Sequence, residues 1–160
     1  MSPERLWRLS AALRRRGYRR LALLVKKVNS AIYHNSLAPG ASFSSDIEFG
    51  HHGFGTVIHS NVEIGKRVKI WHNVTMAVRA KTDSPHRIII EDDVTIGANS
   101  VIVTPLEKSL RIGRGARIGA GAVVVRDVPA GATVVSAPAR VLQPTTQEPA
   151  DPAQRIADQV

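Results

Sequence analysis

The sequence predicts a mainly β chain, a solenoid of stacked parallel turns behind a short α-helical arm, and three observations predict it. From Ile58 an aliphatic residue recurs every six positions: Ile58, Ile64, Ile70 and Met76, then Ile90, Ile96 and Ile102, then Leu106, Ile112, Ile118 and Val124. A second register follows each by four, in Val62, Val68, Val74, Val94, Ser100, Leu110, Ala116, Ala122 and Val128. The first 36 residues lack this step and read as helix. A period of six is neither the 3.6 of a helix nor the alternation of a two-layer sheet. Self-similarity at a fixed period means stacked units, each unable to bury its apolar face until a neighbour covers it.

Each hexad has a physical reading. Its first residue points inward, the next is often glycine (Gly65, Gly97, Gly113, Gly119), and the fifth is small or β-branched because it also faces a narrow interior. The pattern matches the hexapeptide repeats of the left-handed parallel β-helix, a prism whose three faces each take one hexad per turn. Short antiparallel strands would not hold one register across ten hexads.

The arm comes first in the chain. Ser2-Pro3-Glu4 suits a helix start: a hydroxyl, proline at the first helical position and an acid near the positive end. Gly17 breaks or bends the helix. Beyond it Tyr18, Leu21, Val25, Val28 and Ile32 form an amphipathic stripe. The stripe is expected to cap the open end of the coil, where strand edges would otherwise be bare. The alternative is a weak contact of residues 1–36 with anionic membrane or an acidic partner. Charge motivates that alternative: of the net +9, residues 1–36 carry nine Lys/Arg against Glu4 alone, and the remainder is nearly neutral. Nucleic acid is not expected, because the arm offers only Trp7 and Tyr18 for stacking and no reading motif.

The solenoid is expected over 37–142, starting weakly at Leu37, Phe43 and Phe49. Three interruptions break its step, at residues 50–55, 77–87 and 104–108. Insertions in solenoids become outward loops, commonly on the binding face. The first two hold His51, His52 and His86. Residues 143–160, low in apolar side chains and rich in proline, are expected to be disordered. With no cysteine there is no disulfide framework or thiolate zinc site. No apolar run reaches the ~20 residues of a membrane span, and no signal-peptide core follows the N-terminal arginines, so a cytoplasmic protein is expected.

Several segments together resemble one family. Gly50-His-His-Gly-Phe-Gly-Thr-Val-Ile-His, Ile70-Trp-His-Asn-Val-Thr, Pro85-His-Arg, Ile96-Gly-Ala-Asn, the run from Ile118 to Pro129, and Ala137-Pro-Ala-Arg-Val look like a serine acetyltransferase over about residues 37–142. The closing segment is shared by many sugar and amino-acid O-acetyltransferases; the histidine loop followed by the Val-Ile step points to the serine branch. The resemblance implies an acetyl-CoA-dependent enzyme of cysteine biosynthesis, a small hydroxyl acceptor and a homotrimer with active sites between subunits. A sugar or specialised-metabolite acceptor, or a non-catalytic scaffold, is the alternative.

A hydroxyl is a poor nucleophile at neutral pH, and a neutral imidazole can take its proton as it attacks a thioester. The resemblance implies one base from the first loop and His86 near the acceptor. Counting from Phe43 and Phe49 selects His51 as base; counting back from Ile58 selects His52. Acetyl-CoA would run along the groove between subunits, against backbone at Ala98, Ala116, Gly121 and Ala122, with Arg126 and Arg140 as phosphate partners. His59 and His72 sit at second and third hexad positions and are expected at the surface, with the cofactor groove as the alternative. No metal is expected, since the histidines lack carboxylates at ligand spacing.

The chain also departs from the family. The acid expected beside the loop histidine is His51 or Gly50. The acid that would orient the base falls at Ser36 or Leu37, and the arginine before the second histidine is Pro85. Asp46, Glu48, Arg79, Lys81 or Arg87 are the candidates to replace those groups. The family's large helical domain is reduced to one arm, which predicts a trimer. The ending at Val160 is only superficially similar to the family's partner-docking terminus.

Overall fold

The computed structural model describes residues 2–81 and 84–137; Arg140 and the tail at 143–160 lie outside the described residues. Two helices, α1 (Pro3–Arg15) and α2 (Arg19–Tyr33), precede fourteen described strands of two or three residues each. The strands stack into three parallel sheets. One face holds β1 (Ser36–Leu37), β4 (Val57–Ile58), β7 (Thr75–Ala77), β10 (Val101–Val103) and β13 (Val123–Val124). The second holds β2 (Ser42–Phe43), β5 (Val62–Ile64), β8 (Ile88–Ile90) and β11 (Leu110–Ile112). The third holds β3 (Glu48–Phe49), β6 (Lys69–Ile70), β9 (Thr95–Ile96), β12 (Arg117–Ile118) and β14 (Thr133–Val134). The chain visits the faces in rotation, so it is a parallel β-solenoid, as the hexads predict.

Register shows where loops enter. Val57 pairs with Thr75, three hexads later, in an uninterrupted turn. Ser36 pairs with Val57, three residues further than three hexads, because the turn between them carries the histidine loop. Thr75 pairs with Val101, eight beyond three hexads, across the loop that holds His86. Arg117 pairs with Thr133, two short of three hexads, so the last described turn is tightened.

Inside, the first and fifth hexad positions form one continuous core. Val68, Ile70, Val74, Met76, Ile88, Val94, Ile96, Ile102, Leu110, Ile112, Ala116 and Ala122 are all fully buried. Burying a Val, Leu or Ile side chain is worth about 1.5–3 kcal/mol, which makes this column the main source of stability. Second-position glycines let turns approach: a Cβ on Gly97 would sit 2.5 Å from the backbone nitrogen of Ala120 in the next turn. Along the outside, ion pairs tie turn to turn. Arg67 donates twice to Asp93, at 2.6 and 2.8 Å, and Arg111 pairs with Glu91. These guanidinium hydrogen bonds hold the Asp93 and Glu91 carboxyls below their usual range.

Two expectations fail. Leu106 was expected inside but is 65% exposed. Val101 pairs with Val123, four residues further than three hexads, so the six-residue count back from Ile112 lands in the inserted loop. The apolar stripe of α2 does not cap the coil either. Gly17, at φ +87°, breaks the arm into two packed helices, and α1 is the cap. Trp7 is 1% exposed, stacks on Phe43 at 3.8 Å between ring centres and donates its indole N–H to the Ala38 carbonyl at 2.8 Å. Glu4 accepts the Phe49 N–H at 3.2 Å, and Arg8 donates to the Ser45 carbonyl. Helix α2 turns Ala22 and Asn29 towards α1: Ser10 donates to the Ala22 carbonyl and Asn29 to the Pro3 carbonyl. These small and polar residues let the helices close up, which leaves α2's large aliphatics outside.

Candidate active site

Between β3 and β4, at the edge joining the third and first faces, residues 50–55 make a short loop whose backbone is tightly specified. His51 (φ 49°, ψ 42°) and His52 (φ 57°, ψ 21°) both adopt the left-handed conformation. For L-residues this costs roughly 1–2 kcal/mol each, and such strain persists only where the surroundings over-determine it. Here they do. Gly55 donates to the His34 carbonyl of the turn above at 3.0 Å, and the Phe54 carbonyl accepts the Asn73 N–H of the turn below at 2.7 Å. Gly50 lies against Trp71, where a Cβ would fall 2.6 Å from the indole ring. Gly55, at φ +68°, has no room for a side chain: a Cβ would fall 1.8 Å from the Asn73 side-chain oxygen. Both histidine side chains are exposed at the end of this clamp.

The two imidazoles have different surroundings. His51 packs against Trp71 (5.6 Å between ring centres) and edge-on against His72 (5.0 Å). His52 lies over Tyr33, at the end of α2, at 5.9 Å. His72 is therefore not the outward surface residue the hexad position suggests. Its Nδ1 is buried and has no hydrogen-bond partner among the described residues. Trp71, His72 and Tyr33 are the neighbours that sequence reasoning missed; the available signal was that residue 71 lies one turn below residue 50. His34 closes α2 in the left-handed conformation and packs on Phe54 at 5.4 Å. His59 is exposed, with Nδ1 accepting the Asn61 N–H at 3.1 Å.

His86 is on another edge. Its loop joins β7 to β8, between the first and second faces, and the insertion after β10 stacks on it. The His86 Nε2 lies 3.9 Å from a Glu107 carboxylate oxygen, and its carbonyl accepts from the Asn61 amide at 3.2 Å. His86 and the His51/His52 loop thus flank the first face from its two opposite edges.

Among the described residues no carboxylate bonds to the 50–55 loop. Of the carboxylates named as replacements, Glu48 pairs with Lys69 at 3.1 Å and Asp46 takes a hydrogen bond from Ser44 that lowers its carboxyl's pKa. Arg87 pairs with Glu63 and caps the Pro85 carbonyl. No group of three or more His, Cys, Asp or Glu among the described residues is arranged to hold a metal ion.

The residues expected along a cofactor groove separate. Ala116 and Ala122 are fully buried in the core, and both their N–H and C=O groups are used in bonds between turns or corners. Their side chains face inward because they occupy the fifth hexad place. Ala98 is half-buried, and Gly121, exposed at φ +68°, donates to the Ala98 carbonyl at 2.8 Å. Arg126 is exposed and lines a cavity of about 650 Å³ at the last described turn, walled by Val123, Val125 and Val135.

Comparisons with known proteins bear on the repeat and the fold. Residues 87–126 match the hexapeptide repeat of succinyl-transferase. Serine acetyltransferase of Bacillus subtilis is 34% identical over 135 residues, 84% of this chain and 60% of that protein. Soybean serine acetyltransferase complexed with serine superposes with a TM-score of 0.74 at 34% identity, covering 86% of this chain and 54% of that one. The Brucella abortus serine acetyltransferase in complex with coenzyme A gives 0.75 at 28% identity, covering 85% and 52%. The chain spans about 60% of the length of the curated relative and about half of the solved chains. By repeat, sequence and three-dimensional shape, the chain is a hexapeptide-repeat solenoid protein that resembles serine acetyltransferases.

Proposed function

We propose that the chain is an O-acetyltransferase that moves the acetyl group of acetyl-CoA to a small hydroxyl acceptor, with serine the first candidate. The observation that carries this reading is the clamped histidine loop on a solenoid shared with serine acetyltransferases. Among the described residues no carboxylate ties up His51 or His52, and both reach solvent. A neutral imidazole there takes the proton of the acceptor hydroxyl as its oxygen attacks the thioester carbonyl. The tetrahedral oxyanion that forms needs N–H donors. Its collapse breaks the carbon–sulfur bond, and the imidazolium returns the proton to the leaving thiolate. The products are the acetyl ester and free coenzyme A.

One chain holds only part of this site, because His86 and the histidine loop lie on opposite edges of the first face. The reading takes the chain as a homotrimer, in which the loop edge of one copy faces the His86 edge of the next, as closed cyclic symmetry allows. Acetyl-CoA is assigned to the groove between copies. Arg126 would meet its phosphates, and the valine-walled cavity beside Arg126 suits an apolar pantetheine arm.

A second reading rests on one observation. An ammonium acceptor needs a carboxylate partner, and among the described residues none bonds to the loop that holds the base. A sugar or other uncharged hydroxyl acceptor fits that environment as well as serine does. The test is thiol release from acetyl-CoA with L-serine, L-homoserine and a sugar panel, for wild type and for His51→Ala, His52→Ala and His86→Ala. Loss of a general base costs about 10²–10⁴-fold. Undiminished turnover in all three variants removes the histidine mechanism.

A further inference from the structure

The outer face of α2 is unaccounted for by the fold or by the proposed chemistry. Leu21, Leu24, Val28 and Ile32 are 46%, 56%, 43% and 57% exposed. At 100° per residue they share one side of the helix, a different side from Ala22 and Asn29, which face α1, and Ala31 completes the strip. Arg20 and Lys27, both exposed, border this strip, and Arg14, Arg15, Arg16 and Arg19 crowd the turn at its start. A contiguous exposed aliphatic strip rimmed by charged side chains marks an interaction site.

Charge selects the occupant. Among its described residues the solenoid offers another copy's arm few carboxylates that lack a cationic partner. Among the described residues Glu48, Glu63, Glu91, Asp92 and Asp93 each already pair with a Lys or Arg of their own chain, and Asp46, Glu107 and Asp127, which do not, sit in separate loops after β2, β10 and β13. Two arms laid face to face would set their arginine and lysine rows side by side, each arm carrying nine Lys/Arg against Glu4. A nucleic acid would neutralise the cations but leave the aliphatics in water. An anionic lipid surface satisfies both parts, because aliphatic side chains enter the acyl boundary while flanking cations stay among headgroups. We propose that α2 lies flat on an anionic membrane surface through Leu21, Leu24, Val28 and Ile32, held by Arg20 and Lys27. Helix α2 has fifteen residues, and no helix among the described residues is long and apolar enough to cross a membrane, so the contact is peripheral. The last turn of α2 also touches the histidine loop, through Tyr33 on His52 and the His34 carbonyl on Gly55. A docked α2 therefore keeps that loop beside the surface.

The test is sedimentation of the full chain with vesicles of phosphatidylcholine alone and of phosphatidylcholine mixed with phosphatidylglycerol, at low and physiological salt. Two variants are compared: Arg20→Ala/Lys27→Ala, which removes charge only, and Leu24→Glu/Val28→Glu, which spoils the apolar strip. Thermal unfolding and light-scattering mass are read on each. Wild type binds the anionic vesicles and not the neutral ones, more tightly at low salt. Each basic side chain near such a surface contributes roughly fivefold, so the charge variant partitions about 25-fold more weakly. The strip variant fails to bind with an unchanged melting point and mass. Absence of wild-type binding at low salt overturns the proposal, as does wild-type binding by the strip variant. If the strip variant instead loses oligomer mass, the face belongs to a second copy and the lipid assignment is wrong.

Discussion

Replacing Trp7 with alanine measures how firmly the arm closes the coil. The indole is 1% exposed, stacks on Phe43 at 3.8 Å, touches Phe49 at 6.0 Å and satisfies the Ala38 carbonyl. Trp→Ala in a core costs about 3–5 kcal/mol, and the structure gives no reason for relief: the ring roofs the first turn, and α1 cannot sink to fill the gap without losing the Glu4 and Arg8 bonds to the coil. Against a total stability of about 5–15 kcal/mol this is a large fraction. For a chain of this length it corresponds to a fall in Tm of roughly 6–20 °C. Calorimetry of the variant reads the loss directly, with Leu24→Ala as the comparison. Leu24 is 56% exposed, so its truncation should change stability by no more than about 0.5 kcal/mol. A Trp7 variant that melts within a degree or two of wild type would mean that α1 is not the cap.

Three further outcomes follow from the geometry. Gly55→Ala must push against the Asn73 side chain at 1.8 Å and hold φ +68°, so it should disorder the histidine loop and depress turnover. Gly115→Ala, at φ +67° with nothing within 4 Å of the added Cβ, should cost only about 1–2 kcal/mol and leave turnover intact. Acid sensitivity has a definite sign: Asp93 and Glu91 have carboxyls lowered by hydrogen bonds from Arg67 and Arg111. Their stabilisation is present above the ordinary carboxylate range and lost as pH falls through the lowered folded values, so Asp93→Asn should flatten the acid limb of a stability–pH curve. If the Asn variant keeps the wild-type acid limb, the turn-to-turn ion pairs are not what acid breaks.

The body of the fold was legible because its interior is narrow. Only an aliphatic at the first place and a small or branched residue at the fifth fit, and the period records both. Where the count failed, at Leu106, Val101 pairs with Val123, four residues further than three hexads, and the period was carried across the inserted loop. The arm shows a different limit. The α2 stripe was visible, but amphipathicity does not say what a face meets. Helix α1 took the coil because Trp7 brings both a large apolar ring and an N–H that reaches Ala38. The histidine loop was found from its interruption of the step, yet its neighbours were not. Trp71 and His72 lie beneath it only because turns stack, and a hexad position labelled outward says nothing of a loop folding over it.

The claim that matters most is that the histidine loop and His86 complete one site only across two copies. Complementation tests it: His86→Ala chains and His51→Ala/His52→Ala chains, each inactive alone, are unfolded together in equal amounts and refolded. Random assembly then pairs an intact loop with an intact His86 in about one quarter of sites, so thiol release should return to about a quarter of wild type. Mixed oligomers that form but stay inactive would place the chemistry within one chain and contradict the account.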